Sequence, residues 1–170
     1  MTAFDKYINR VLSHEGGFTT DPDDRGNWTS GRRGVGQLNG TKFGISCMSF
    51  PDLDIENLTR EEAKDIYRRL YWDTVTQVSD AVRFQMLDAG INHGTHRAIM
   101  LLQKSVGSRA DGKWGPLSEL SASLTDNNDI LLRFLAHRLR FMTDCKTWKQ
   151  HGKGWARRIS INLQHAAEDN

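Results

Sequence analysis

The chain has 170 residues, with 23 Lys and Arg against 21 Asp and Glu and 38% apolar residues. That length suits one ordinary domain with a sizeable core, and the balance excludes disordered, collagenous and disulfide-rich classes. No apolar run approaches the roughly 20 residues that span a bilayer, and the amphipathic start "MTAFDKYINRVLSH" lacks the layout of a secretory signal. A protein made in the cytosol is therefore expected.

Phe4, Tyr7, Ile8, Val11 and Leu12 recur at helical spacing behind Thr2, a plausible N-cap, and predict a first helix over about 3–15. From Gly16 to Gly40 the chain reads as loop, rich in glycine and holding the turn signal Asp21-Pro22-Asp23-Asp24. A short extended piece, "TKFGIS", follows. Thr59-Arg60-Glu61-Glu62 is a capping box opening a helix to about Trp72. Ser79 caps the next, which ends near "NHG", and Thr95 can start another. "DGKWGP" is a turn whose Pro116 suits a first helical position. Asn128 is the expected cap of a long helix, and a last basic helix is expected over about 153–166. The expected fold is mostly α, with one long loop and short β region near the N-terminus. A single compact domain over 1–170 is expected, with a sub-boundary near 105–112.

Two features bear on chemistry. Glu15 closes the first helix, where an acid has the wrong sign for the dipole, and Gly16, Gly17 and Phe18 follow at once. Read structurally, Gly16 is a helix stop and Glu15 points to water. Read functionally, the carbonyl dipoles and an apolar wall at Phe18 keep a proton on the acid, and the bare glycines admit a bulky ligand. Protonating a glycosidic oxygen needs such a carboxyl. The second feature is charge: from Leu131 to Arg158 the basic residues Arg133, Arg138, Arg140, Lys146, Lys149, Lys153, Arg157 and Arg158 face Asp144 alone. Three readings stand: a solvated helix face, attraction to an anionic cell envelope, or nucleic acid.

Cys47 and Cys145 lack metal-ligand spacing and are expected to be reduced, packed thiols. No cluster has zinc spacing and no cofactor motif appears, so neither metal nor cofactor is expected. The absence of a Ser-His-Asp signature disfavours an amidase or peptidase.

Glu15-Gly16-Gly17-Phe18, Asp21-Pro22 and Thr41-Lys42-Phe43-Gly44-Ile45-Ser46 together resemble glycoside hydrolase family 108, whose hallmark is E-G-G-Y. "YWD" at 71–73, "DAGINHG" at 88–94, "LLQKSVG" at 101–107 and "DGKWGP" at 111–116 resemble the family's C-terminal, peptidoglycan-binding part. The resemblance implies a lysozyme-like helical fold and an endolysin-type N-acetylmuramidase with Glu15 as general acid. It implies a catalytic part over 1–105 and a wall-binding part over 106–170, without metal or cofactor.

Two departures stand out. Phe18 replaces the motif tyrosine, and the segment between Asp24 and Thr41 is longer than the family's, carrying Arg25, Trp28, Arg32 and Arg33. That insertion is expected to border the cleft. Asp24, nine positions after Glu15, resembles the acid pair of T-even phage lysozyme and is a candidate second carboxylate, while Thr41 is a candidate for holding water. Gly16, Gly17, Phe18, Trp28, Phe43, Tyr71 and Asn92 are the candidate sugar contacts.

The expected partner is bacterial peptidoglycan, with lipopolysaccharide meeting the basic C-terminal segment, no nucleic acid and a monomeric state. The enzyme would reach the wall through a separate pore. The alternatives are a lytic transglycosylase that leaves 1,6-anhydro ends, and a basic helical module that binds nucleic acid or wall without catalysis.

Overall fold

The computed structural model describes residues 2–12 and 17–169, and the chain divides into two compact units, Met1–Arg68 and Arg69–Asn170. In the first, helix α1 (Ala3–Leu12) buries Phe4, Tyr7, Ile8, Val11 and Leu12 on one face. Its cap is reciprocal. The Asp5 amide donates to Thr2 Oγ1 at 3.2 Å and the Thr2 amide donates to Asp5 Oδ2 at 2.9 Å.

The expected extended piece is a hairpin. Strands β1 (Thr41–Lys42) and β2 (Ile45–Ser46) pair antiparallel, Thr41 with Ser46 and Lys42 with Ile45. Only Phe43 and Gly44 remain for the turn, and both take positive φ, 52° and 77°. A two-residue turn that follows the strand twist requires this, and an aromatic residue is rarely found there. Tyr67 holds it by donating its hydroxyl to the Phe43 carbonyl at 2.7 Å. Helix α2 (Arg60–Tyr67) carries the expected capping box, Thr59 with Glu62, and passes into a π-helical turn over Arg68–Trp72.

In the second unit, α3 (Asp80–His93), α4 (Thr95–Ser105), α5 (Pro116–Ser123), α6 (Asn127–Thr143) and α7 (Trp148–Asp169) surround one apolar core. Met86, Leu102, Ile130, Phe134 and Leu135 are almost fully buried at its centre. Ser79 caps α3 through the Val82 amide, as expected. Two expectations need correction. The cap of α6 is Asp126, whose side chain accepts from the Asn128 amide at 2.9 Å, rather than Asn128. The last helix begins at Trp148 rather than near 153, because the glycine of "HGKG" at 152 makes room for the Trp148 indole instead of breaking the helix.

The mostly helical expectation holds. Among the described residues no helix is long and apolar enough to cross a membrane.

Candidate active site

Glu15 and Gly16 lie outside the described residues, which resume at Gly17. Gly17 is exposed, and a Cβ there would meet nothing within 4 Å among the described residues. Phe18 is 39% exposed, and its ring lies against Gly40, where a Cβ would press on the ring and on the Thr19 carbonyl. Gly40 also takes φ 80°, so two constraints select glycine there. Thr19 and Thr41 then exchange two backbone hydrogen bonds, both 2.9 Å. The end of the E-G-G-F segment is thereby fixed beside Thr41.

Thr41 is notable for what its side chain lacks. Its Oγ1 is buried and, among the described residues, has no hydrogen-bond partner; the same holds for Asn27 Oδ1. Asn27 is fully buried; its Nδ2 donates to the Asp21 carbonyl at 3.0 Å and its own backbone carbonyl accepts from the Gly40 amide at 3.1 Å. Leaving a buried hydroxyl or amide oxygen unpaired costs about 1–3 kcal/mol, which native folds rarely tolerate without a use. Asn27 ties the Asp21 turn to the strand, a role that sequence reasoning missed because Asn in a glycine-rich stretch reads as a turn former.

The candidate carboxylate Asp24 is exposed and serves as an N-cap, one oxygen accepting from the Gly26 amide at 2.8 Å. Asp21 accepts from the Asp23 amide in the same way, and Asp23 lies 3.5 Å from Arg33 at the surface. The insertion is an ordered arch: Trp28 bridges Leu38, the Thr29 amide donates to the Gln37 carbonyl at 2.9 Å, and Ser30 Oγ donates to the Val35 carbonyl at 2.7 Å. The Trp28 indole N–H donates to the Pro22 carbonyl at 2.9 Å, which fixes the ring and leaves it half-buried. A groove of about 580 Å³ runs between Phe18, Thr20 and Asn39 on one side and Pro51 to Glu56 on the other. Phe43 stands in the hairpin turn with the Lys42 ammonium 5.7 Å from its ring centre.

In the second unit, Tyr71 is half-buried and its ring lies against Gly90, where a Cβ would strike it. Burial raises the Tyr71 phenol above its ordinary pKa. Asn92 is exposed, with Nδ2 turned back onto the Asp88 carbonyl of its own helix at 2.6 Å.

Sequence reasoning did not find the polar centre of this unit. Asp88, 5% exposed, accepts from Arg138 Nη1 at 2.6 Å, Arg158 Nε at 3.1 Å and Asn162 Nδ2 at 2.8 Å. Burial alone would raise the Asp88 carboxyl, but Arg138 and Arg158 outweigh it and hold it at about 2. Arg138 is fully buried and also donates to His93 Nε2 at 3.1 Å; burial first, and then the Arg138 charge, press His93 down to about 4. Two of the basic residues expected to meet an acidic partner are thus answered inside the fold, and Arg133 pairs with Asp129 at 2.7 Å.

Gln103 is a second buried hub. Its Nε2 lies 2.9 Å from Asp111 Oδ1, 2.9 Å from the Lys113 carbonyl and 3.0 Å from Ser118 Oγ, and its Oε1 accepts from the Gly112 amide at 2.9 Å. It joins the "LLQKSVG" and "DGKWGP" segments into one knot. No group of three or more potential metal ligands occurs among the described residues.

Residues 8–94 match the family model described as Glycosyl hydrolase 108. No curated protein matches the sequence. Among solved structures the chain is similar to one titled "Structure of Brucella abortus SagA", with 28% identity and a TM-score of 0.80, covering 98% of this chain and 94% of that one.

Proposed function

Because the chain belongs to glycosyl hydrolase family 108 it is a glycoside hydrolase, and we propose that it cleaves the β-1,4 bond between N-acetylmuramic acid and N-acetylglucosamine in peptidoglycan, as an endolysin-type muramidase. The observation that carries this reading is that the matched segment spans Glu15-Gly16-Gly17-Phe18 together with the hairpin that Thr41 opens. Glu15 acts as general acid, giving its proton to the leaving oxygen. The groove beside Phe18 takes the glycan. The Thr41 hydroxyl, without a partner among the described residues, is suited to accept from or donate to the attacking water or a sugar hydroxyl. Asp24 keeps one oxygen outside its cap bond and serves as a candidate second carboxylate. Water delivered to the far face of the sugar inverts the anomeric centre.

Phe43, Tyr71 and Asn92 are assigned as sugar contacts, residues 1–105 as the catalytic part and 106–170 as a wall-binding part acting as a monomer. The exposed Lys149, Lys153 and Arg157 add long-range attraction to the anionic envelope, lipopolysaccharide included.

The test is Glu15→Gln assayed on purified sacculi, with mass analysis of released muropeptides. The amide keeps the shape and removes the proton, so lysis should fall by at least about 100-fold with an unchanged circular-dichroism spectrum. Native products should carry reducing muramic acid ends. Anhydro ends would establish a lytic transglycosylase instead, and equal activity of variant and parent would remove Glu15 from the mechanism.

A further inference from the structure

A second cavity lies wholly within the C-terminal unit and has no part in the glycosidase reading. It is a groove of about 390 Å³ between α4 and α6. On α4 the lining residues are Arg97, Met100, Leu101 and Lys104, and on α6 and its C-cap they are His137, Arg140, Phe141 and Asp144. Both sets follow the spacing i, i+3, i+4, i+7, so each is one continuous helix face turned toward the other. The α4 face is apolar at its centre and cationic at both ends; the α6 face sets Arg140 beside Phe141, between His137 and Asp144.

Among the described residues the three cations are not in ion pairs, although Asp144 shares the groove. No ion pair joins Arg97, Lys104 or Arg140 to any described carboxylate, Asp144 included. Their charges reach into the groove: His137 lies below its ordinary pKa, through burial first and then through Lys104 and Arg140. Arg97 is set in place by the Phe141 ring, 4.9 Å from the guanidinium carbon to the ring centre. Phe141 in turn stands edge-on to His93 at 5.2 Å, so the floor is anchored to the Asp88 centre. An apolar floor under unpaired cations calls for a ligand of both characters. A bare anion would leave the half-buried Met100 and Phe141 uncovered; a neutral apolar molecule would leave Arg97, Lys104 and Arg140 to water alone.

We propose that the α4–α6 groove binds the phosphate head group of an anionic phospholipid, with its glycerol and first methylenes on Met100, Leu101 and Phe141 and its phosphate between Arg97, Lys104 and Arg140. The volume falls in the range of roughly 300–1,000 Å³ typical of small-molecule sites.

Cys145 also lines the groove, whereas Cys47 is fully buried, so alkylation of Cys145 by neutral iodoacetamide reports occupancy. Monomeric dihexanoyl phosphatidylglycerol should slow that reaction in the full chain, and the phosphatidylcholine analogue should not. Replacing three cations, Arg97→Gln/Lys104→Gln/Arg140→Gln, should weaken protection on the order of 100-fold. Removing the same charge from α7, Lys149→Gln/Lys153→Gln/Arg157→Gln, should leave it in place. Should the first triple variant lose its fold by circular dichroism, Lys104→Gln alone, at an exposed position, should weaken protection about 5-fold. Equal protection by phosphatidylcholine, by inorganic phosphate or by a short acidic peptide overturns the proposal. So does equal loss in the α7 variant, or no protection by phosphatidylglycerol at all.

Discussion

Asp88→Asn removes one charge and almost no volume from the centre of the C-terminal unit. The carboxylate receives hydrogen bonds from Arg138, Arg158 and Asn162, and Arg138 is fully buried. The depression of Asp88 to about 2 means the fold favours its ionised form by about 2–3 kcal/mol, at 1.36 kcal/mol per pKa unit. The variant forfeits that preference and leaves the Arg138 guanidinium in the core without a counter-charge. Breaking a buried pair in this way costs about 3–5 kcal/mol. For a chain of this size each kcal/mol lowers Tm by about 2–4 °C, so a fall of about 6–20 °C is expected. Thermal unfolding of the full chain, followed at 222 nm, measures it. Arg158→Met, whose side chain is 39% exposed, should cost far less, about 1 kcal/mol. If Asp88→Asn melts within 2 °C of the parent, the carboxylate does not compensate Arg138 and the account of this centre is wrong.

Three further outcomes follow from the same reasoning. His93 is held below its ordinary pKa, so on acidification the unfolded chain takes up the proton first; stability present above about pH 6.5 is lost between there and pH 4. Allowing for its partial exposure the loss is about 1–2 kcal/mol, and His93→Gln should flatten denaturant midpoints over that window. Thr41→Val removes a buried hydroxyl that has no partner among the described residues, so Tm should hold or rise by a few degrees. Turnover on sacculi should nonetheless fall about 10–100-fold if that hydroxyl positions water or sugar; unchanged turnover would strip Thr41 of its role. Gln103→Leu strands the half-buried Gly112 amide and takes a donor from the buried Ser118 hydroxyl, and should lower stability by about 2–4 kcal/mol in urea unfolding.

What the sequence made legible was local. Thr2, Ser79, and Thr59 with Glu62 cap their helices as read, because a cap is decided within three residues, although Asp126 rather than Asn128 caps α6. Where the deciding partner was distant, reading failed. Arg138 and Arg158 count among the cations expected to face an acidic partner because Asp88, which answers both, lies 50 and 70 positions away. A near partner was missed as well: the last helix is expected from about 153, because nothing in "HGKG" announces that the Trp148 indole fills the space a Cβ on Gly152 would take. The "TKFGIS" piece looked merely extended because Phe43 is an unusual residue for a left-handed turn, and only the Tyr67 hydroxyl bond reveals what holds it. Asn27 was invisible as a site residue because its burial comes from the arch folding over it.

The C-terminal helix α7 fully buries only Ile159 and Ala166 among its apolar side chains, with Trp148 and Trp155 packed partly buried against the core. Its docking is keyed by two polar teeth, Arg158 and Asn162, one helical turn apart and both engaged on a single carboxylate. Such a key permits one register only, since sliding by a turn strands both teeth. Exchanging α7 for a generic amphipathic helix, or ending a shortened chain before Arg158, therefore exposes an ionised pit rather than a greasy one, and a fragment designed on hydrophobic pattern alone would omit the lock while keeping the door.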